Sequence, residues 1–435
     1  MTSRRTTQFC GSTEHSVDRR SFLKSCAATA LGVSLGGIEA AYDPVFAAAL
    51  REQKRSVLLL WLAGGSSQFE TWDPKPGRPT GGPFKSIPTA VPGTHVCELL
   101  PRVSKLTDRL TIIRSLSTGN GSHPGGSQIV QTGRAPEANL VYPDFGTVIS
   151  KELAQKNSEV PDFVSLYLAT EGRQNGTPNP GFLGGGYSAM KLEQSLRPKD
   201  ITAPLGLSDR AYDEREDLRR FLTDRFQRRR RAAKVQGYNN AYARVRGLMK
   251  SDTLFDIEKE PTSVRDRYGK TDFGQHALIG RRLIEAGVPM VKVSRAWWDS
   301  HSDNFESHRE LVSEFDRVFN TLFLDLEERG LLETTTIIIL SEFGRTPNIN
   351  PNVGRDHFAT AWSCAFAGRG VKHGLLYGKT DEDGRTVADG KIGPGELVGT
   401  IYKAAGIDPH TEYYVGERPV PLMPEHTEAV DAVLI

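Results

Sequence analysis

The sequence predicts an α/β fold: a mostly parallel central sheet with helices on both faces. Two observations carry this. Short apolar runs rich in β-branched residues recur along the chain, and amphipathic helical patterns lie between them. Alternation of this kind favours parallel strands covered on both sides.

Taken in order, the strand candidates are Ser56–Leu62, Leu110–Leu116, Phe163–Tyr167, Val288–Ser294, Thr334–Ser341 and Trp362–Ala367. A helical pattern begins at Asp272, runs to Glu285 and stops at Gly287. A longer one spans about Asn304 to Glu328, with apolar residues at Leu311, Phe315, Val318, Phe319, Leu322 and Leu326 and a stop at Gly330. Asp209–Lys234 is densely charged, but Asp213, Glu214, Glu216, Asp217 and Asp224 interleave with its arginines. It reads as a solvated helix, the start of a charged helical insertion near 209–250. Residues beyond about Tyr413 are Pro-rich and read as irregular. No internal repeat is present.

At 435 residues, 38% apolar and 25% charged, the chain has the composition of a soluble globular protein. A formal charge of +2 argues against nucleic acid as the main partner, since phosphate-backbone binding needs a basic face. Four cysteines are too few for a disulfide scaffold. Cys97 and Cys364 fit either two buried thiols or a single bridge, the thiols being the simpler reading. No segment reaches the roughly 18 uninterrupted apolar residues of a membrane-spanning helix. Gly64-Gly65 and Gly184-Gly185-Gly186 lack the spacing and the lysine of a phosphate loop.

Ser16-Val17-Asp18-Arg19-Arg20-Ser21-Phe22-Leu23-Lys24, a weakly apolar stretch from Cys26 to about Ile38, and small residues at Ala47-Ala48-Ala49 follow one another. Together they resemble a twin-arginine export signal with its cleavage site. Residues 1–49 are therefore expected to be a leader and 50–435 the mature domain, periplasmic or extracellular, with the twin-arginine translocase as a transient partner.

In parallel α/β sheets, ligands bind beyond the carboxyl ends of the strands. Loops there hold Glu70 and Asp73, then Asp299 and His301, then Glu342, Arg345, Arg355, Asp356 and His357, and finally His373. Carboxylates and imidazoles gathered at one sheet edge suit Zn²⁺, Mn²⁺ or Ca²⁺. A lone carboxylate at a strand end is more often a helix cap or ion pair, so the signal lies in the set.

Pro101–Leu116 followed by Thr132-Gly133-Arg134 resembles the sulfatase segment that carries the catalytic residue, and Gly330–Gly344 resembles the sulfatase strand ending in Ser-Asp-His-Gly. More specifically, Ser341-Glu342-Phe343-Gly344-Arg345-Thr346-Pro347, Gly354–Phe358, Trp298-Asp299-Ser300-His301 and Gln68–Pro76 resemble one bacterial domain family. It is the uncharacterised family numbered fifteen-oh-one, in the alkaline phosphatase-like clan, and the resemblance spans about Ser56 to Ala405.

The resemblance implies an alkaline phosphatase-like fold with a metal centre at the sheet edge. Asp299 and His301 resemble the first Asp/His ligand pair. Glu342 takes the place of the Asp in a later Asp-His pair, with Asp356-His357 supplying what Phe343 cannot. His373 resembles the late His ligand, and Glu70 or Asp73 the first-strand carboxylate. His123 falls where sulfatases carry the cysteine that becomes formylglycine, and Ser127 where they carry the following arginine. No Cys-x-Pro-x-Arg motif occurs, which excludes formylglycine chemistry. Ser122 remains as a hydroxyl nucleophile. His123 is read as an attacking group, proton shuttle or ligand, or simply as a hydrogen-bonding residue in a Gly-rich turn. Arg345 or Arg355 would neutralise anionic oxygens.

The expected function is metal-dependent hydrolysis of a phosphate or sulfate ester on a small molecule or polysaccharide. The alternatives are a metal-stabilised binding protein without turnover, and a carbohydrate-active enzyme with paired carboxylates and no metal.

Overall fold

The computed structural model of the protein describes residues 54–155, 158, 160–166, 177–192, 196–198, 208–230 and 252–435. The export-signal segment, Tyr167 and the 231–250 part of the charged insertion lie outside them. Lys54–Ile435 forms one compact unit.

Strand β1 (Ser56–Leu62) is buried along its whole length. Leu58, Leu60 and Leu62 enter one hydrophobic core, while Val57, Leu59 and Trp61 enter another on the opposite face. That division follows from the two-residue period of a strand. It joins β2 (Leu110–Leu116), β3 (Phe163–Leu166), β4 (Met190–Leu192), β5 (Met290–Arg295), β6 (Thr335–Leu340), β7 (Trp362–Gly368) and β8 (Leu375–Tyr377) in a sheet ordered β8-β2-β7-β6-β1-β5-β3-β4. All neighbours pair in parallel except β7, which runs antiparallel to both β2 and β6. The fold is α/β with a mostly parallel sheet.

Helices are α1 (His123–Thr132), α2 (Phe145–Glu152), α3 (Asp209–Arg230), α4 (Thr262–Tyr268), α5 (Asp272–Glu285), α6 (Asn304–Glu328) and α7 (Pro394–Ala404). Residues of α5 and α6 build the core beside Leu58, while those of α1, α2 and α7 build the core beside Leu59. The six apolar residues that predicted α6 are all buried. Burying each such side chain contributes about 1.5–3 kcal/mol. Helix α5 starts where the Thr271 hydroxyl accepts the Gly274 N–H. The charged helix α3 is laced by Arg210–Glu214, Arg219–Glu216 and Arg220–Glu216 pairs.

Several elements differ from the sequence expectation. The short strands β4 and β8 carry too few residues to show a pattern. Helix α1 begins in a Pro-Gly-Gly run that reads as a turn. The C-terminal segment, expected to be irregular, contains an antiparallel hairpin of Glu412–Val415 with Arg418–Pro421. Cys97 and Cys364 are both free and buried, and burial pushes the Cys97 thiol up to about 12.

Candidate metal centre

The side chains of this centre enter from loops at the carboxyl edge of the parallel strands. After β1, Gly64 and Gly65 turn the chain with φ of +117° and +93°. A Cβ at Gly64 would lie 2.5 Å from the Asp299 backbone nitrogen, and one at Gly65 2.5 Å from the Phe343 ring. Glycine is what permits both the conformation and the close approach. After β5, Trp298 buries its ring 5.5 Å from that of His308, ahead of Asp299. After β2 the chain reaches Ser122, the N-cap of α1, and His123, its first residue. After β6, Gly344–Arg345 pairs antiparallel with His357–Phe358, which returns Asp356 and His357 to the same edge.

Asp299 is the hub. Its Oδ2 lies 3.0 Å from His123 Nε2, and its Oδ1 lies 3.0 Å from His357 Nε2, 3.1 Å from His301 Nε2 and 2.6 Å from Arg345 Nη2. Each imidazole is fixed from behind: His123 Nδ1 by Glu342 Oε1 at 2.9 Å, His357 Nδ1 by the Gly121 carbonyl at 2.6 Å, and His301 Nδ1 by Asp356 Oδ1 at 2.8 Å. Carbonyls and ionised carboxylates only accept, so each Nδ1 carries the hydrogen and each Nε2 turns inward. Anchoring of the outer nitrogen in this way is how metal-binding histidines are oriented.

Two electrostatic consequences follow. Burial lowers the pKa of His123, but hydrogen bonds from its ring to Asp299 and Glu342 more than offset this and hold it at about 9. Burial would raise the Asp299 carboxyl, yet His123, His357 and Arg345 together hold it far below the usual carboxylate range. A fully ionised carboxylate ringed by imidazole nitrogens fits a divalent cation. The ligand atoms of His123, Asp299 and His357 lie within 4.8 Å of one another. Bonds of about 2.0–2.2 Å to nitrogen and oxygen are compatible with that span.

The structure thus brings together His123, Asp299, His301, Glu342, Asp356 and His357. Arg345 reaches Asp299, but it is fully buried, and its other donors go to the carbonyls of Gly64, Gly65 and Arg355. Arg355 and Glu70 are also fully buried and pair with each other at 2.9 Å. The remaining Arg355 donors go to the carbonyls of Thr80, Thr346 and Pro347. Asp73 accepts from Lys75 and Thr380 and faces Arg114. Ser122 is exposed, and its hydroxyl donates to Asn120 Oδ1 at 2.9 Å.

His373 lies at the opposite edge of the sheet, beside Arg109 and Gly368. It follows β7, and because β7 runs antiparallel its carboxyl end faces away from the centre. Two contributors that sequence reasoning missed are backbone groups: the Gly121 carbonyl and the Gly64 N–H, which donates to Glu342 Oε1 at 2.9 Å. No side-chain pattern could have signalled them. Phe343 is buried against the centre, its ring 4.4 Å from that of His357 and 5.0 Å from that of His123.

No curated protein matches the sequence. Among solved structures the protein is similar to the PsFucS1 sulfatase from Pseudoalteromonas sp., at 14% identity over 85% of this chain and 71% of that one, with a TM-score of 0.41. It is similar to a protein in the alkaline phosphatase superfamily from Vibrio parahaemolyticus, at 12% identity over 81% and 66%, with a TM-score of 0.34. It is also similar to the C-terminal periplasmic domain of EcEptC from Escherichia coli in complex with Zn, at 8% identity over 85% and 94%, with a TM-score of 0.38. One family matches residues 54–434, nearly all of the described chain, and by that match the protein belongs to the family described as proteins of unknown function, DUF1501.

Proposed function

We propose that this protein is an exported, metal-dependent hydrolase of a phosphate or sulfate ester, of the alkaline phosphatase kind and independent of formylglycine. The observation that carries the reading is the convergence of His123, His301 and His357 Nε2 atoms on Asp299, each ring anchored through Nδ1. Three imidazoles and one carboxylate suit Zn²⁺ or Mn²⁺ better than Ca²⁺, which prefers oxygen. Bound there, such an ion polarises a phosphoryl or sulfuryl oxygen and stabilises the charge that develops on it.

The chain's own residues supply the rest. Ser122, one residue before His123, offers a hydroxyl nucleophile at the amino end of α1. Its side chain does not cap that helix, so the positive end of the helix dipole remains to favour an anion. Glu342 holds the Nδ1 proton of His123, and Arg345 holds Asp299 in place. Neither Arg345 nor Arg355 is proposed to touch the ester, because their donors are spent on buried carbonyls and carboxylates. The leader in residues 1–49 supports export. Among the described residues, no helix is long and apolar enough to cross a membrane.

One observation favours a second reading, a metal-stabilised binding protein without turnover: the Ser122 hydroxyl is engaged by the Asn120 amide oxygen, which is no base. Elemental analysis of protein purified without chelator, followed by assays on 4-nitrophenyl phosphate, its diester and 4-nitrophenyl sulfate, tests both. Bound Zn or Mn that is lost in Asp299→Ala and His357→Ala, with turnover abolished in Ser122→Ala, supports the hydrolase. Metal without turnover supports the binding protein. Protein that takes up no metal ends both readings.

A further inference from the structure

Trp297 sits one residue before the Trp298-Asp299 pair and carries two features that folding alone does not explain. Its φ is +76°, a region that bulky L-residues rarely adopt. Its side chain is also 53% exposed, although Ala296 and Trp298 on either side are buried. Backbone strain of this kind persists where the surrounding structure over-determines the conformation, and it clusters at ligand sites.

The indole borders a cavity of about 490 Å³ whose other walls are largely charged. Glu310, Glu314 and Arg317 contribute from one face of α6, and Asp272 from the first turn of α5. Arg295 and Glu314 hold each other at 2.6 Å, a fixed planar pair. The side chains of Glu310 and Arg317 make no hydrogen bond or ion pair among the described residues, so a carboxylate and a guanidinium are left for a ligand. Trp297 and Asp299 are separated by one residue, which keeps their Cα atoms within about 7 Å. That is about the span of a single sugar ring.

One flat apolar face beside free carboxylate and guanidinium groups is the chemistry that recognises a saccharide. The C–H face of a pyranose packs on the indole, and its hydroxyls donate hydrogen bonds to the carboxylate and accept them from the guanidinium. A protein-docking surface would present a broader apolar centre. Nucleic acid would meet Asp272, Glu310 and Glu314, which repel phosphate. We propose that this cavity is a saccharide subsite, so that the ester reaching the metal centre is carried on a sugar whose neighbouring unit stacks on Trp297. The inference rests on the ester-hydrolase reading and names its substrate class.

The test is binding of the full chain, its metal content measured in parallel, to an array of neutral, sulfated and phosphorylated oligosaccharides. The expected result is binding of oligosaccharides of two or more units, weakened at least about tenfold in Trp297→Ala and less in Trp297→Phe. Glu310→Ala and Arg317→Ala are expected to weaken it as well. Trp297→Gly relieves the positive φ and is expected to melt no lower than wild type, so a loss of binding there is not unfolding. No glycan binding by the wild type, binding unchanged in Trp297→Gly, or Trp297-dependent self-association in its place would overturn the subsite. Metal content and aryl-ester turnover decide the other reading separately. Glycan binding without metal would keep the subsite and remove the hydrolase, while turnover without glycan binding would do the reverse.

Discussion

His301 Nε2 and His357 Nε2 face each other at 3.0 Å, while the Nδ1 of each ring is held by an acceptor. Two inward lone pairs at that separation repel, and a metal ion between or beside them would relieve the repulsion. His123, with its pKa held at about 9, carries a proton at neutral pH in the metal-free protein. Metal uptake must displace that proton. Calorimetric titration with Zn²⁺ in buffers of different ionisation enthalpy is expected to show at least about one proton released per ion at pH 7. Apparent affinity should rise with pH up to about 9, where His123 gives up its proton in any case.

Asp356 touches the centre only through His301. Asp356→Asn keeps the shape but weakens the anchor on that ring. The metal dissociation constant is expected to rise about 10–100-fold, measured by competition with a chromophoric chelator. An unchanged constant would show that His301 is not a ligand.

Gly64 and Gly65 should not be equally sensitive. A methyl at Gly64 meets backbone at Trp298 and Asp299, whereas one at Gly65 meets the Phe343 ring, which can shift. Each substitution by alanine incurs backbone strain of about 1–3 kcal/mol. Gly64→Ala is expected to cost more than that and to release metal, and Gly65→Ala to melt at the higher temperature of the two.

Glu70 and Arg355 form a buried ion pair away from the hub. Arg355→Met strands the Glu70 carboxylate and should destabilise the fold by about 3–5 kcal/mol in urea titration. Metal stoichiometry is expected to stay at its wild-type value in the folded fraction. His373→Ala should alter neither metal content nor ester turnover.

His276 and His308 are buried, and burial lowers the pKa of each from 6.5 to about 4. Between those values the unfolded chain binds protons that the folded chain does not. Stability therefore falls as pH drops through 6.5 and the loss is complete near 4, about 3 kcal/mol for each ring. His276→Leu is expected to remove about half of that decline, read from melting temperatures across the range.

Legibility followed the range of the interaction. Strands β1, β2, β3, β5, β6 and β7 declared themselves because a buried strand needs a contiguous apolar run, and α6 because its buried face repeats at helical spacing. The direction of β7 left no local trace, and it alone decides that His373 faces away from Asp299. Asp299, His301 and His357 stood out as ionisable residues at strand ends. Glu70 and Arg355 stood out in the same way, and only three-dimensional pairing separates a buried ion pair from a ligand set. His123 was found through its resemblance to a nucleophile position. Its contacts with Asp299 and Glu342 span the chain, and no spacing rule reaches that far.

The ligand set has a consequence for biogenesis. His123, the Asp299–His301 loop and His357 are far apart in sequence, and they meet only once β2, β7, β6, β1 and β5 are assembled in one sheet and the Gly344–Phe358 hairpin has folded back. Before that, the Asp299–His301 loop would offer an ion only two of the four groups. Under the proposed metal-dependent function, loading would be a checkpoint on finished folding, and the compartment where folding finishes would choose the metal. If residues 1–49 direct export of the folded chain, as proposed, that compartment is the cytosol. The ion at work outside the cell would then be one drawn from the tightly regulated supply within.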